Sequence, residues 1–280
     1  MPASMNRCHR WATLSLGPLL SFALACDQDE QKAVTTNTAP LVTGPAGKST
    51  DKSIEQAPTK RNTYTELDAV PGAGVIQGTI TYAGNEQPGK LAVTKDTRVC
   101  THGGEADGSL QVADGKLANA IVAITDDIQQ GKRWESTKAV VDNRECRFDP
   151  RVQIGRYQGP IEMKNSDPVF HNTNLAPIEN ANSTTLVNVP LPLQGQSQIK
   201  KLEKTGIVAV NCNVHEWMKA WIYVSEHPYA AVTQADGTYE ITGVPPGEHN
   251  AMVWHEKLGQ VSAKVKVESG GTATLDHVFK

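Results

Sequence analysis

The 280-residue chain predicts an all-β protein built as two β-sandwiches, and three observations carry that expectation. Runs of β-branched and aromatic residues recur, as in Gly206-Ile207-Val208-Ala209-Val210-Asn211 and Ala220-Trp221-Ile222-Tyr223-Val224, and such residues suit a pleated, half-buried surface. Turn signals punctuate the C-terminal runs at Asp236-Gly237 and Pro245-Pro246-Gly247, and Asp-Gly between alternating residues is a strong hairpin signal. The apolar content of 39% is adequate for a core, and the length allows one or two domains.

The N-terminal 25 residues read as an export signal. Arg7, His9 and Arg10 form a basic start, Trp11 to Ala25 an apolar run, and Ala23-Leu24-Ala25 a small-residue cleavage site. That run is too short for a permanent membrane span. Cleavage after Ala25 leaves Cys26 at the new N-terminus, which resembles a bacterial lipoprotein, where the cysteine is acylated and tethers the protein to a membrane. Ala23 and Leu24 stand in the reverse of the usual lipoprotein order, so ordinary secretion is the alternative. Asp27 resembles an inner-membrane retention signal of some enteric bacteria. Residues 26 to 72 are rich in Asp, Gln, Lys, Thr, Pro and Ala and cannot offset the entropy of ordering, so they are expected to be a disordered tether. A coil of that length spreads over roughly 35 to 40 Å.

Strands are then expected, in order, at Gly78-Thr79-Ile80-Thr81-Tyr82, at Leu117-Ala118-Asn119-Ala120-Ile121-Val122, and at Ile161-Glu162-Met163-Lys164-Asn165. The two β-branched runs above follow. The last strands are Ala231-Val232-Thr233, Thr238-Tyr239-Glu240-Ile241 and Ala251-Met252-Val253-Trp254-His255.

Between the two β-branched runs lies Cys212-Asn213-Val214-His215-Glu216-Trp217-Met218, which spaces a thiolate, an imidazole and a thioether within one tight turn. Two His nitrogens and one Cys sulfur in a plane, with a weak axial Met, define a blue-copper electron-transfer site. The second His is expected upstream at a strand end, where Asp167-Pro168-Val169-Phe170-His171-Asn172 offers His171. Asn172 would brace the loop behind the ligands, and Trp217 would keep water off the metal. A lone Cys in a strand is ordinarily a small buried hydrophobe. The spacing, the order, the upstream His-Asn and the all-β context together point to copper.

Residues 135 to 225 resemble the cupredoxins, a Greek-key sandwich family, with a loop spacing most similar to the amicyanin and plastocyanin type. The matching residues are Phe148-x-Pro150, Gly159, Asn165-x-Asp167, His171-Asn172 and Cys212-x2-His215-x2-Met218. The resemblance implies one type 1 copper per chain, with His171, Cys212 and His215 as equatorial ligands and Met218 as the axial one. Asn174 stands where relatives often carry a second His. The segments around Gly78–Tyr82, Leu117–Val122, Asp236-Gly237 and Pro245-Pro246-Gly247 resemble a carboxypeptidase-regulatory or transthyretin-like sandwich. Those segments flank the copper region. Residues 73–134 and 226–280 are therefore expected to form one discontinuous sandwich with the cupredoxin inserted, because insertion at a loop is tolerated when the guest's termini lie close together. The alternative is a cupredoxin with an N-terminal extension followed by a separate C-terminal sandwich.

With Cys8 removed in the signal and Cys26 acylated, Cys100, Cys146 and Cys212 remain. Exported thiols pair in an oxidising space, so a Cys100–Cys146 bridge would staple the two units and leave Cys212 for copper. Pairing of Cys212 with either of the others would leave the His and Met spacing unexplained. His102, His227, His249, His255 and His277 read as structural or solvated, though Glu256 could orient the imidazole of His255.

A net charge of −3 and no basic patch argue against nucleic acid. Nucleotide-binding, hydrolase and transferase signatures are absent. The expected function is single-electron transport in the periplasm or cell envelope by a monomer that is not itself an enzyme. Partners would be redox proteins such as c-type cytochromes or exported dehydrogenases, and a lipid anchor would be its one membrane contact. Two alternatives are an envelope copper-handling protein, disfavoured because the mature chain holds only Met163, Met218 and Met252, and a non-redox envelope binding module.

Overall fold

Strands between Ala139 and Ser225 pair only among themselves and build two sheets around one apolar core. The computed structural model describes residues 63–136, 138–178 and 184–280. The signal, Cys26, Asp27 and most of the tether lie outside the described residues. No helix among the described residues is long and apolar enough to cross a membrane.

One sheet of this sandwich runs in the order Ser197–Lys201, Pro160–Asn165, Ala139–Arg144, Arg147–Asp149, and the other Val187–Leu191, His171–Pro177, Gly206–Asn211, Lys219–Ser225, Val152–Arg156. Pro160–Asn165 alternates half-buried and buried along its length, so Ile161 and Met163 point inward. There they meet Leu175, Val208, Val210 and Ile222 from the facing sheet, while polar neighbours point out.

The second sandwich draws its strands from both sides of the first. Gly74–Tyr82 pairs antiparallel with Thr238–Val244 in one sheet, and Ile121–Ile124 pairs with both Gly247–His255 and Ala230–Val232 in the other. Ile76, Ile80, Leu117, Val122, Tyr239, Ile241 and Val253 share its core. Ile121–Ile124 is buried at every position because its two faces serve different cores. Val122 and Ile124 face their own sandwich, whereas Ile121 and Ala123 join Trp254 and Met252 against Val152, Ile207, Trp221 and Tyr223 of the first. Trp221 and Trp254 meet edge to face with ring centroids 5.4 Å apart. Beside this seam Arg151 and Glu256 form a two-pronged ion pair at 2.7 and 2.8 Å, little exposed on either side.

Three local expectations need correction. The Asp236-Gly237 turn does not close a hairpin within one sheet: Ala230–Val232 pairs with Ile121–Ile124, and Thr238–Val244 with Gly74–Tyr82. The turn instead carries the chain from one layer to the other, and Gly237 is required because its φ is 74° and a Cβ would lie 2.5 Å from the Ile80 carbonyl. The run Leu117–Val122 is two strands, Lys116–Leu117 and Ile121–Ile124, broken where Asn119 adopts a φ of 62°. Finally, order begins before residue 73. Thr65–Leu67 pairs in parallel with Gln130–Lys132, because Tyr64 is buried in the second core and its hydroxyl donates to the Lys132 carbonyl at 2.7 Å.

Candidate metal centre

Cys212 follows directly on Gly206–Asn211, and the pairing of Asn211 with Lys219 forces the residues between them into one turn. The Met218 amide donates to the His215 carbonyl at 2.9 Å and closes that turn. His171 is the first residue of His171–Pro177, the strand on the other side of Gly206–Asn211. Two neighbouring strands thus bring His171, Cys212 and His215 to one pole of the sandwich, where all three are buried.

Their donor atoms form a small triangle. His171 Nδ1 and His215 Nδ1 are 3.0 Å apart, and Cys212 Sγ lies 4.0 and 3.8 Å from them. A point equidistant from three atoms at those separations lies about 2.1 Å from each, close to metal–nitrogen and metal–sulfur bond lengths. Two imidazoles and a thiolate therefore fit one ion without rearrangement of the backbone. Met218, the thioether of the same turn, is 1% exposed and belongs to the same core cluster as Cys212.

Carboxylates hold the outer nitrogens of both imidazoles. Asp167 Oδ2 lies 2.9 Å from His171 Nε2, and Asp96 Oδ2 lies 2.8 Å from His215 Nε2. Each carboxylate fixes the tautomer that frees Nδ1 for the centre, the usual arrangement behind a metal-bound His. Asp167 also accepts the Glu145 and Cys146 amides at 2.7 and 2.8 Å.

Burial alone would push the Cys212 thiol up. The His171 and His215 imidazoles, joined by the Asn172 and His215 amides, outweigh it and bring the thiol down to about 5. Burial would likewise lower His171, but Asp167 and Cys212 hold it above its ordinary value. The carboxyl of Asp167 is held low by His171 and the two amides against the effect of its burial. The thiolate is the form a metal ion requires of a cysteine, whereas a metal at His171 would displace the proton that its raised value favours.

Asn172 sits behind the triangle. Its Oδ1 accepts the Asn213 amide at 2.8 Å and lies 3.5 Å from Cys212 Sγ, and its Nδ2 donates to Asn188 Oδ1. Trp217 packs at a tilt against His215, with centroids 4.9 Å apart and ring planes 53° apart, and donates from Nε1 to the Cys146 carbonyl. Asn174 contacts Asn213 rather than the triangle. Cys100 and Cys146 are joined as a disulfide, and Cys212 is the free thiol among the described residues. Glu256 does not orient His255: it is taken by Arg151, and burial pushes His255 down to about 4. Sequence reasoning missed Asp96. It lies 119 residues from His215, and no local pattern signals the pair.

No protein-family model and no curated protein sequence matches the chain. Among solved structures, a purple cupredoxin from Nitrosopumilus maritimus aligns at 22% identity over 31% of this chain and 99% of its own, with a TM-score of 0.27. A copper-containing nitrite reductase from Thermus scotoductus aligns at 18% identity over 38% of this chain and 25% of its own, also at 0.27. An oxidised amicyanin mutant aligns at 15% identity over 32% and 83%, at 0.28.

Proposed function

We propose that the chain is a type 1 copper protein that carries single electrons between redox partners at the cell envelope. The observation that carries this reading is the buried triangle of His171 Nδ1, Cys212 Sγ and His215 Nδ1, with Met218 buried in the same core cluster as Cys212. A bound copper ion would supply a one-electron couple between Cu(II) and Cu(I). The residues supply the rest. Sulfur and thioether donors favour Cu(I) and imidazoles accept both states, so one compromise set serves both. Ligands fixed by two strands, two carboxylates and the Asn172 amide and carbonyl cannot relax far, which limits the rearrangement that accompanies each transfer. Both imidazoles are fully buried, and substrate turnover at a metal needs a water-accessible position. An electron carrier that is not itself an enzyme is therefore favoured, with small transient interfaces to redox proteins such as c-type cytochromes or exported dehydrogenases. Periplasmic placement through a lipidated Cys26 belongs to the same reading.

Copper handling is the second reading, since the same donors could store the ion. Potentiometric titration of the copper-loaded protein separates the two. A carrier gives a reversible one-electron midpoint and keeps its ion through repeated cycles in the presence of a Cu(I) chelator. Loss of the ion to the chelator on the first reduction would overturn electron carriage and leave copper handling.

A further inference from the structure

Asp96 belongs to the connection that leaves Gly74–Tyr82 of the second sandwich and runs to Val112–Ala113 of the same sandwich. On the way it crosses to the first. Val93 and Val99 pack against the first sandwich's core, Cys100 is bonded to Cys146, and Arg147 holds Glu105 at 3.1 Å. The Asp96 carbonyl accepts the Val99 and Cys100 amides at 2.8 and 2.9 Å, so a tight turn links the carboxylate directly to the disulfide. At the other end of that disulfide, the Cys146 amide donates to Asp167. One covalent link thus anchors the two carboxylates that hold the two imidazoles.

The Asp96 side chain is 43% exposed, whereas His215 is 0% exposed. The carboxylate therefore lies between the imidazole and solvent. A buried N–H needs an acceptor, and a neutral carbonyl or a water would satisfy it. A carboxylate does more: it places negative charge against one ligand and makes that imidazole a stronger donor to the higher oxidation state.

We propose that Asp96 is a positioning residue of the metal centre, delivered by the disulfide-anchored strap of the second sandwich, and that its charge sets the balance between the two oxidation states of a bound copper ion. The inference rests on the copper reading above. The centre is then not a property of residues 135 to 225 alone, because the strap completes it, and this gives the second sandwich a role beyond spacing the site from a membrane.

The test measures the visible charge-transfer band and the midpoint potential of full-length wild type, Asp96→Asn and Asp96→Ala, each loaded with Cu(II). Asn retains an acceptor oxygen for His215 Nε2 and removes only the charge, and the half-exposed position tolerates both changes. The expected result is a band in all three proteins. Relative affinity should shift toward Cu(I) by about tenfold in Asp96→Asn, equal to a rise of about 59 mV for one electron. In Asp96→Ala the Cu(II) affinity should fall by about tenfold as well. A wild-type band with a midpoint unchanged in Asp96→Asn would overturn the inference alone and reduce Asp96 to a structural acceptor. A wild-type protein that forms no band would overturn the copper reading and the inference with it.

Discussion

Asp167 Oδ2 lies 2.9 Å from His171 Nε2 while the same oxygen accepts the Cys146 amide at 2.8 Å, so one buried carboxylate orients His171 and ties it to the disulfide. Asp167→Ala should strand three donors, the Glu145 and Cys146 amides and the His171 ring, at a cost of about 3 kcal/mol in chemical denaturation. Copper affinity should fall by about tenfold or more in the same variant. A loss below about 1 kcal/mol would show that the carboxylate is not the anchor the geometry implies.

The thiol of Cys212 gives the metal-free protein a pH signature. Its value falls from an ordinary 9.0 to about 5, because the two imidazoles and two amides outweigh burial. A depressed acid contributes stability that is fully present above its unfolded value and lost as pH falls through its folded value. His171, held above its ordinary value, works in the opposite sense and loses its contribution as pH rises through its folded value. The stability difference between wild type and Cys212→Ala should therefore widen as pH rises from about 5 toward neutrality. A difference that stays flat across that range would contradict a folded-state thiolate.

The disulfide closes a separation of 46 residues, for which the loop-entropy relation gives about 4 kcal/mol. Replacing Cys100 and Cys146 together by Ala should lower stability by an amount of that order in equilibrium unfolding. Because the bridge anchors the strap, His215 should also lose its fixed partner Asp96, and copper should dissociate faster. Unchanged copper dissociation would show that the Val93 and Val99 contacts hold the strap unaided.

Arg151 and Glu256 join the sandwiches across a seam that is also packed by Trp221 and Trp254. Glu256→Ala leaves a poorly solvated guanidinium and should cost about 3 kcal/mol. Adding Arg151→Ala should recover part of that loss, a coupling visible in a double-mutant cycle. Simple additivity would mean that the two charges do not depend on each other.

The sequence is informative where chemistry is local. Cys212, His215 and Met218 lie within one turn, and the β-branched runs on either side of them become Gly206–Asn211 and Lys219–Ser225. Asn172, next to His171, contacts the loop as its position suggests. What the sequence conceals is long-range. Asp96 reaches His215 only through the strap, and nothing near residue 96 distinguishes it from an ordinary turn Asp. The Asp236-Gly237 turn looks like a hairpin because local alternation cannot say that its two strands belong to different layers. Thr65–Leu67 looks like tether because its ordering depends on Tyr64 entering a core assembled from residues far along the chain.

The most direct test of the central claim is a visible absorption titration of the soluble fragment from residue 63 onward with Cu(II), beside Cys212→Ala. An intense sulfur-to-copper charge-transfer band that saturates at one equivalent and disappears in the variant is the predicted result. A protein that stays colourless, or a band that survives without Cys212, would contradict a copper centre at His171, Cys212 and His215.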